Sequence, residues 1–329
     1  MHPKIVDGIK AVLYGQVLSM ILSSTFIFTQ MVNQGNIFPY IFPNEMMYHL
    51  LFLICLLKAG YIINLYKTKV NFTRSYYIVA MGTVDVLANM AMLKSFEYTS
   101  GISAVLISST SAILAVPMSY YILKSRYNRW HAIGVAIVMV GLVFINWSKY
   151  DQNAGEDASF KFTGSFLAAL ASLGFAASSV IQTKVIEVID EGYPWGALSG
   201  FGTVSSIVAF IIANLTPLHT EDRDLLLNSN SPYAWYIIGY IVALALFYVL
   251  SPLYLQKWSA VNFQMSILTA DIGVYIFNIF YLKASLTALY TTGFFVVLIG
   301  MGVFNMAPVL AGETEKEKVE DHIPPVTLK

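Results

Sequence analysis

Long apolar runs separated by short polar links dominate the pattern of this chain. A hydrocarbon core of about 30 Å takes roughly 20 helical residues, and helices satisfy their own backbone hydrogen bonds in lipid. Ten runs of that length lie near residues 10–32, 45–66, 75–95, 100–123, 131–148, 163–186, 195–215, 233–255, 259–282 and 286–310. The pattern therefore predicts an all-α, polytopic membrane protein with ten transmembrane helices.

Composition supports a membrane protein and excludes several other classes. Hydrophobic residues make up 57% of the 329 residues and charged residues 12%, which is more apolar than a soluble domain requires. The formal net charge is zero, so the sequence indicates no nucleic-acid partner. The single cysteine, Cys55, cannot form a disulfide framework within the chain. The expected surroundings are a lipid bilayer.

The distribution of basic residues predicts the orientation of the chain in the membrane. Lys and Arg are enriched in cytoplasmic links. Counting alternate links, one side holds thirteen basic residues, among them Lys67, Arg126 and Lys257, and the other side holds five. The remaining one, Lys58, lies inside a run. We therefore expect both termini in the cytoplasm, which agrees with an even number of spans. The membrane is either an endomembrane or the plasma membrane.

An internal repeat is visible when the chain is compared with itself at one fixed offset. The offset that lays "YILK" at 121–124 on "FYLK" at 280–283 also aligns five identical pairs without a gap. These pairs are Ser100 with Ser259, Thr110 with Thr269, Gly134 with Gly293, Gly141 with Gly300 and Asn146 with Asn305. A repeat of five spans must reverse its orientation on duplication, which predicts two inverted five-helix repeats with a site between them.

The repeat divides the chain into four segments. The N-terminal five-helix repeat is expected over 1–148, a connecting loop over 149–162, and the inverted C-terminal repeat over 163–310. Residues 311–329 are charged and contain prolines, so we expect a disordered cytoplasmic tail.

Three ionisable residues lie near the middle of predicted spans: Lys58, Asp85 and Asp271. Each costs roughly 3 kcal/mol on insertion scales, and such residues usually face a protein interior or a watery cavity. All three are expected to point inward. Two interpretations remain open: a role in solute or proton handling, and a structural ion pair between Lys58 and one of the acids.

Polar residues at helical spacing accompany these charges and extend the candidate site. Residues three or four positions apart share a helix face. The ninth span carries such a stripe, and Asn89 lies one turn after Asp85. In the first span Gln16, Ser19, Ser23 and Gln30 form a similar stripe. The candidate substrate-binding residues are Asp271, Gln264, Tyr275, Asn278, Asp85, Asn89, Lys58 and Gln16.

Three further spans have a different character. The fifth and tenth spans have apolar middles and are expected to face lipid or a second subunit, which would allow a homodimer through these two spans. The sixth span carries small residues, including Ser172, Ala176 and Ser179, at a spacing that favours close helix packing. Its Gln182 could still reach a cavity.

Four stretches of the chain resemble a known family. They are "GQVLSMIL", "VDVLANMAMLKSFEYT", "LKSRYNRWHAIGV" and "SAVNFQMSILTADIGVYIFNIFYLK". These stretches are similar to solute carrier family 35, subfamily F, within the drug/metabolite transporter superfamily, and the likeness runs from about residue 10 to 308. The resemblance implies ten spans, two inverted repeats and alternating access for organic solutes.

The residues do not favour an enzyme. H-E-x-x-H, G-x-S-x-G and P-loop patterns are missing from the sequence, so metal hydrolysis, a serine nucleophile and ATP-driven pumping lack their motifs. No metal or cofactor is expected. The favoured function is a secondary transporter for a polar organic solute: a nucleoside, a nucleobase, a vitamin-like molecule or a nucleotide sugar. The alternative is a membrane scaffold or sensor that transports nothing.

Overall fold

The computed structural model describes residues 3–33, 41–69, 72–99, 104, 107–150, 158–189, 194–215, 232–281 and 287–310. The N-terminal part contains α1 (Pro3–Asn33), α2 (Phe42–Leu56), α3 (Ala59–Lys69), α4 (Phe72–Tyr98), α5 (Ser111–Ile122) and α6 (Arg129–Tyr150). The C-terminal part contains α7 (Ala158–Ile189), α8 (Trp195–Leu215), α9 (Pro232–Lys257), α10 (Ala260–Ile267), α11 (Ala270–Phe280) and α12 (Ala288–Leu310). The all-α prediction is therefore confirmed for the described residues.

Five of the described helices are long and apolar enough to cross a membrane by themselves. They are α1, α4, α7, α8 and α9. Helices α2 and α3 meet the same criterion only as a pair, which is bent by 87°, so the number rises to six if this pair counts as one span. Shorter apolar segments lie within α5, α6 and α12. The protein is a multi-pass membrane protein, and the number ten stays a prediction.

Two predicted spans, 100–123 and 259–282, are broken rather than continuous. Helix α5 begins after Thr110, and α11 begins after Thr269. The hydroxyl of Thr110 donates to the carbonyl oxygen of Ile107 at 2.7 Å, and that of Thr269 donates to the carbonyl oxygen of Ser266 at 2.9 Å. Such local bonds compete with the regular helix pattern. The sequence offset of the predicted repeat pairs Thr110 with Thr269, so the two breaks lie at positions that this offset aligns.

Helices α6 and α12 pack with their backbones in close approach. A Cβ atom added at Gly141 would lie 2.7 Å from the carbonyl oxygen of Gly293, and one added at Gly300 would lie 2.9 Å from that of Gly134. Residue numbers rise along one helix as they fall along the other, so the pair is antiparallel. Glycine allows this approach because it has no side chain.

The remaining faces of α6 and α12 are apolar and exposed, as expected for helices that face lipid. Val140, Val143 and Trp147 are exposed on α6, and Phe295 and Ile299 are exposed on α12. The glycine faces contact each other within one chain, so a second subunit would have to use the outer faces. The homodimer stays a prediction.

The other helices surround the centre of the molecule. Helix α1 packs against α9, α10 and α11, and α4 packs against α7 and α8. Helix α2 packs against α8 and α9, and α5 packs against α7 and α10. Most of these contacts join the N-terminal part to the C-terminal part, so the core of the protein is an interface between its two halves.

Candidate functional site

A cavity lies within this interface. It has about 960 Å³ of empty space, including the part that is open to the outside. The lining residues belong to α1, α4, α5, α7, α9, α10 and the first residue of α11, with Ser108 and Ser109 before α5 and Leu268 between α10 and α11. These elements correspond to the first, third, fourth, sixth, eighth and ninth apolar runs.

Asp85 on α4 is the centre of a buried polar cluster in the cavity wall. Tyr48 donates a hydrogen bond to its Oδ2 atom at 2.8 Å, Tyr248 donates to the same oxygen at 2.6 Å, and Ser178 donates to Oδ1 at 2.9 Å. The amide nitrogen of Asn89 is 2.9 Å from Oδ2. Asp85 is only 3% exposed. These hydrogen bonds replace those that the carboxylate would make to water if it were not buried.

The Asp85 cluster joins both halves of the chain. Tyr48 lies on α2 and Asn89 on α4, whereas Ser178 lies on α7 and Tyr248 on α9. The amide nitrogen of Asn89 also donates to the hydroxyl of Tyr248 at 2.7 Å. None of the ion pairs among the described residues involves Asp85. The cluster therefore fixes four helices against one another with neutral donors.

Gln264 on α10 is the centre of a second polar cluster. Its Oε1 atom accepts a hydrogen bond from Ser111 at 3.0 Å. Its Nε2 atom donates to the carbonyl oxygen of Phe175 at 3.1 Å and to the hydroxyl of Ser179 at 3.0 Å. The residue is 2% exposed. Both ends of this amide are thus committed to contacts between α10, α5 and α7.

Gln182 differs from Gln264 in its hydrogen bonding. It lines the cavity from α7, as its position in the sixth span allowed, and it is 6% exposed. Its Nε2 atom has no hydrogen-bond partner among the described residues. Buried amides in proteins are nearly always hydrogen-bonded, so this exception requires an explanation.

The structure brings together three of the eight candidate residues, Asp85, Asn89 and Gln264, in one cavity wall. The prediction that Lys58 points inward is wrong. Helix α2 ends at Leu56, and Lys58 is exposed in the turn before α3. The two helices meet at an 87° bend, so Lys58 does not lie within a continuous span. An ion pair between Lys58 and Asp85, one form of the structural interpretation, is not formed among the described residues.

Gln16 is half-buried on α1 and is not part of the cavity wall. Its stripe contacts the broken ninth span instead. Ser19 lies 2.7 Å from the hydroxyl of Thr269, and Ser23 donates to the carbonyl oxygen of Ala270 at 2.6 Å. The face of α1 that lines the cavity contains Thr25 and Thr29. Two members of the stripe, Ser19 and Ser23, therefore contribute to helix packing, and the role of Gln16 stays a prediction.

The other three candidates, Asp271, Tyr275 and Asn278, lie on α11, and their side chains are outside the part of the chain that the structure describes. A turn at 268–269 separates α11 from α10, which holds Gln264. Ala270, next to Asp271, lines the cavity. The roles of these three residues stay predictions.

Sequence reasoning missed the tyrosines of the site. Tyr48 and Tyr248 hold Asp85, and Tyr240 lines the same cavity and donates to Asn44 at 2.9 Å. Tyrosines are common throughout the apolar runs, so composition does not distinguish them. The sequence contained one indication of Tyr248: at the repeat offset, Asn89 of the first half aligns with Tyr248 of the second half. Polar residues at equivalent positions of a repeat can meet near its axis.

Comparison with known proteins establishes the family. The sequence model of SLC35F, described as solute carrier family 35, matches residues 6–306. The chain belongs to solute carrier family 35. Membership of this family identifies a membrane solute transporter and indicates a transporter rather than an enzyme.

Individual family 35 relatives are distant in sequence. Solute carrier family 35 member F2 of Mus musculus is 24% identical over 98% of this chain and 84% of its own length. A Schizosaccharomyces pombe family 35 member is 24% identical over 89% of this chain and 57% of its own length. An uncharacterized transporter of Clostridium kluyveri is 26% identical over 43% of this chain and 45% of its own length.

A solved crystal structure has the same fold. It superposes with a TM-score of 0.65 at 12% identity and covers 91% of this chain and 98% of its own chain. At this identity the likeness concerns the fold alone.

Proposed function

We propose that this family 35 member is a secondary transporter that moves a polar organic solute through the central cavity by alternating access. The observation that carries the proposal is the cavity itself, which is lined from both halves and flanked by two broken helices. Discontinuous helices beside a site between repeats are a recurring feature of secondary transporters. The breaks at Thr110 and Thr269 supply such helices in α5 and α11.

The arrangement of the helices supports two inverted five-helix repeats and thus ten spans. At the repeat offset α1 is equivalent to α7, α2 to α8 and α4 to α9. Helix α1 contacts α9, and their equivalents α7 and α4 also contact each other. Helix α2 contacts α9, and their equivalents α8 and α4 do the same. The glycine contacts are matched in the same way: Gly141 approaches Gly293, and their equivalents Gly300 and Gly134 approach each other. Equivalent helices α6 and α12 are antiparallel, as repeats of opposite orientation require.

The cavity wall favours a solute without several negative charges. Among the described residues that line it, Asp85 is the one charged side chain, and Lys and Arg are missing. Phosphate recognition usually relies on Arg, Lys or helix N-termini. Aromatic rings of Phe175, Phe247 and Phe263 are suited to a planar group. We therefore place nucleosides, nucleobases and vitamin-like molecules ahead of nucleotide sugars.

Solute binding can be tested by thermal unfolding of the purified protein in detergent. We expect at least one nucleoside, nucleobase or vitamin to raise the melting temperature, because a ligand at 100 times its Kd stabilises by about 2.7 kcal/mol. Nucleotide sugars at the same concentration are the comparison. Stabilisation by nucleotide sugars alone would contradict the ranking, and no stabilisation by any solute would favour the scaffold.

The proposed orientation can be tested with single cysteines. Cys55 is buried, so a Cys55→Ala chain provides a background free of native thiols. We expect Arg126→Cys, in the exposed turn between α5 and α6, to react with an impermeant thiol reagent only from the cytoplasm. Gln152→Cys, in the connecting loop outside the described residues, should react only from the opposite side. Reaction of both from one side would contradict the proposed topology.

A further inference from the structure

Most hydroxyl groups in the cavity wall have already donated their hydrogen to the protein. Thr25 donates to the carbonyl oxygen of Leu22, and Ser251 donates to that of Phe247. The same holds for Thr29, Ser111, Ser178, Ser179, Tyr240 and Tyr248. A hydroxyl that donates elsewhere can still accept through its lone pairs. The wall therefore presents mainly hydrogen-bond acceptors to a solute.

The two glutamines of the cavity have different roles in this arrangement. Gln264 uses its oxygen and its nitrogen in bonds between helices, so its amide is not available to a solute. Gln182 lines the same cavity, and its Nε2 atom has no partner among the described residues. Leaving such a donor unpaired on folding is costly, and a bound solute would remove that cost.

At the position that the repeat offset aligns with Gln182, the first half of the chain has a different residue. Its equivalent in the first half, at the repeat offset, is Ser23. Ser23 donates to the carbonyl oxygen of Ala270 at 2.6 Å and lies 2.9 Å from the carbonyl oxygen of Ser19. The short side chain is therefore used in packing α1 against α11. Only the longer side chain in the second half extends to the cavity.

We propose that Gln182 is a solute-recognition residue, whose amide donates to a ring nitrogen or carbonyl oxygen of the cargo. The surrounding hydroxyl oxygens then accept from N–H and O–H groups of the same molecule. This inference rests on the proposed transport function and makes its substrate class more specific. The matching solute is a heterocycle rich in donors with an acceptor beside them, as in nucleobases and nucleosides. A phosphate ester offers mainly acceptors and does not match the wall.

The test compares Gln182→Met with Gln264→Met in the full-length protein, since methionine keeps the length of the side chain and removes the amide. The probes are adenosine, guanosine, cytidine, uridine and their nucleobases, with UDP-glucose as a phosphorylated comparison. Without a probe, Gln182→Met should melt at or above the wild-type temperature, whereas Gln264→Met should melt lower. For the probe that stabilises the wild type most, Gln182→Met should bind about tenfold more weakly, as expected for one lost hydrogen bond.

Three results would overturn the inference. If the best probe binds Gln182→Met as tightly as the wild type, Gln182 does not recognise the solute, and the transport proposal stands. A Gln182→Met chain that melts as low as Gln264→Met would show a structural role for this amide. If no probe binds the wild type, the inference fails together with the nucleoside and nucleobase class.

Discussion

Replacing Asp85 with alanine is expected to lower the free energy of unfolding by about 3–5 kcal/mol, because three buried hydroxyl groups lose their acceptor at once. Those groups belong to Tyr48, Ser178 and Tyr248, on three different helices. The described residues that line the cavity include no second carboxylate that could replace the acid. Thermal unfolding in detergent, without added solute, measures the effect.

Tyr248→Phe provides the control for Asp85→Ala. In the wild-type background it removes one donor to the carboxylate and should be clearly destabilising. In the Asp85→Ala background the hydroxyl of Tyr248 has already lost this acceptor, so its removal should cost much less or even stabilise. The two substitutions should therefore be strongly non-additive. Equal effects of Tyr248→Phe in both backgrounds would show that the Asp85 cluster does not hold the helices together.

Gly300→Ala is expected to destabilise the protein by about 3 kcal/mol, since overpacking of a tight interface costs about 1–3 kcal/mol and sometimes more. The new methyl group would lie 2.7 Å from the backbone nitrogen of Val138 and 2.9 Å from the carbonyl oxygen of Gly134. These are backbone atoms of α6, so the contact can be relieved only by moving α6 and α12 apart. Thermal unfolding in detergent measures this effect as well.

Gly302→Ala, on the same helix, is the matched control. A Cβ atom at Gly302 would meet no atom within 4 Å. This change should be neutral or should stabilise the helix by up to about 1 kcal/mol, because alanine has the higher helix propensity. Gly141→Ala, at the position equivalent to Gly300, should behave as Gly300→Ala does. Similar melting temperatures for Gly300→Ala and Gly302→Ala would contradict the close packing of α6 against α12.

The apolar runs predicted where the helices lie, because the hydrocarbon solvent imposes the same length and apolarity on each spanning segment. The run at 195–215 has the same bounds as α8, and the run at 233–255 lies within α9. The breaks at Thr110 and Thr269 were not predicted. An apolar run has the same composition whether the helix within it is continuous or broken, and the deciding hydrogen bonds depend on a single hydroxyl.

For the polar residues, too, the sequence identified some positions correctly, whereas others depended on the tertiary structure. Asp85 and Asn89 could be identified from the sequence, because a carboxylate and an amide one turn apart in an apolar run are too costly to face lipid. Lys58 satisfied the same criterion and was misplaced, because the bend after α2 is not visible in hydropathy. Gln16 lies in a polar stripe of α1. The helix that this stripe faces is decided by the packing of α1 against α10 and α11.

Membrane insertion and helical class follow from the order of residues, since both are properties of segments and their solvent. The donors to Asp85, the committed amide of Gln264 and the unpaired amide of Gln182 were decided by tertiary structure. Tyr48 and Tyr248 belong to opposite halves of the chain and reach one carboxylate oxygen only when α2 and α9 pack beside α4. Hydropathy carries no information about such distances, because a hydrogen bond requires two groups within about 3 Å and in the right direction.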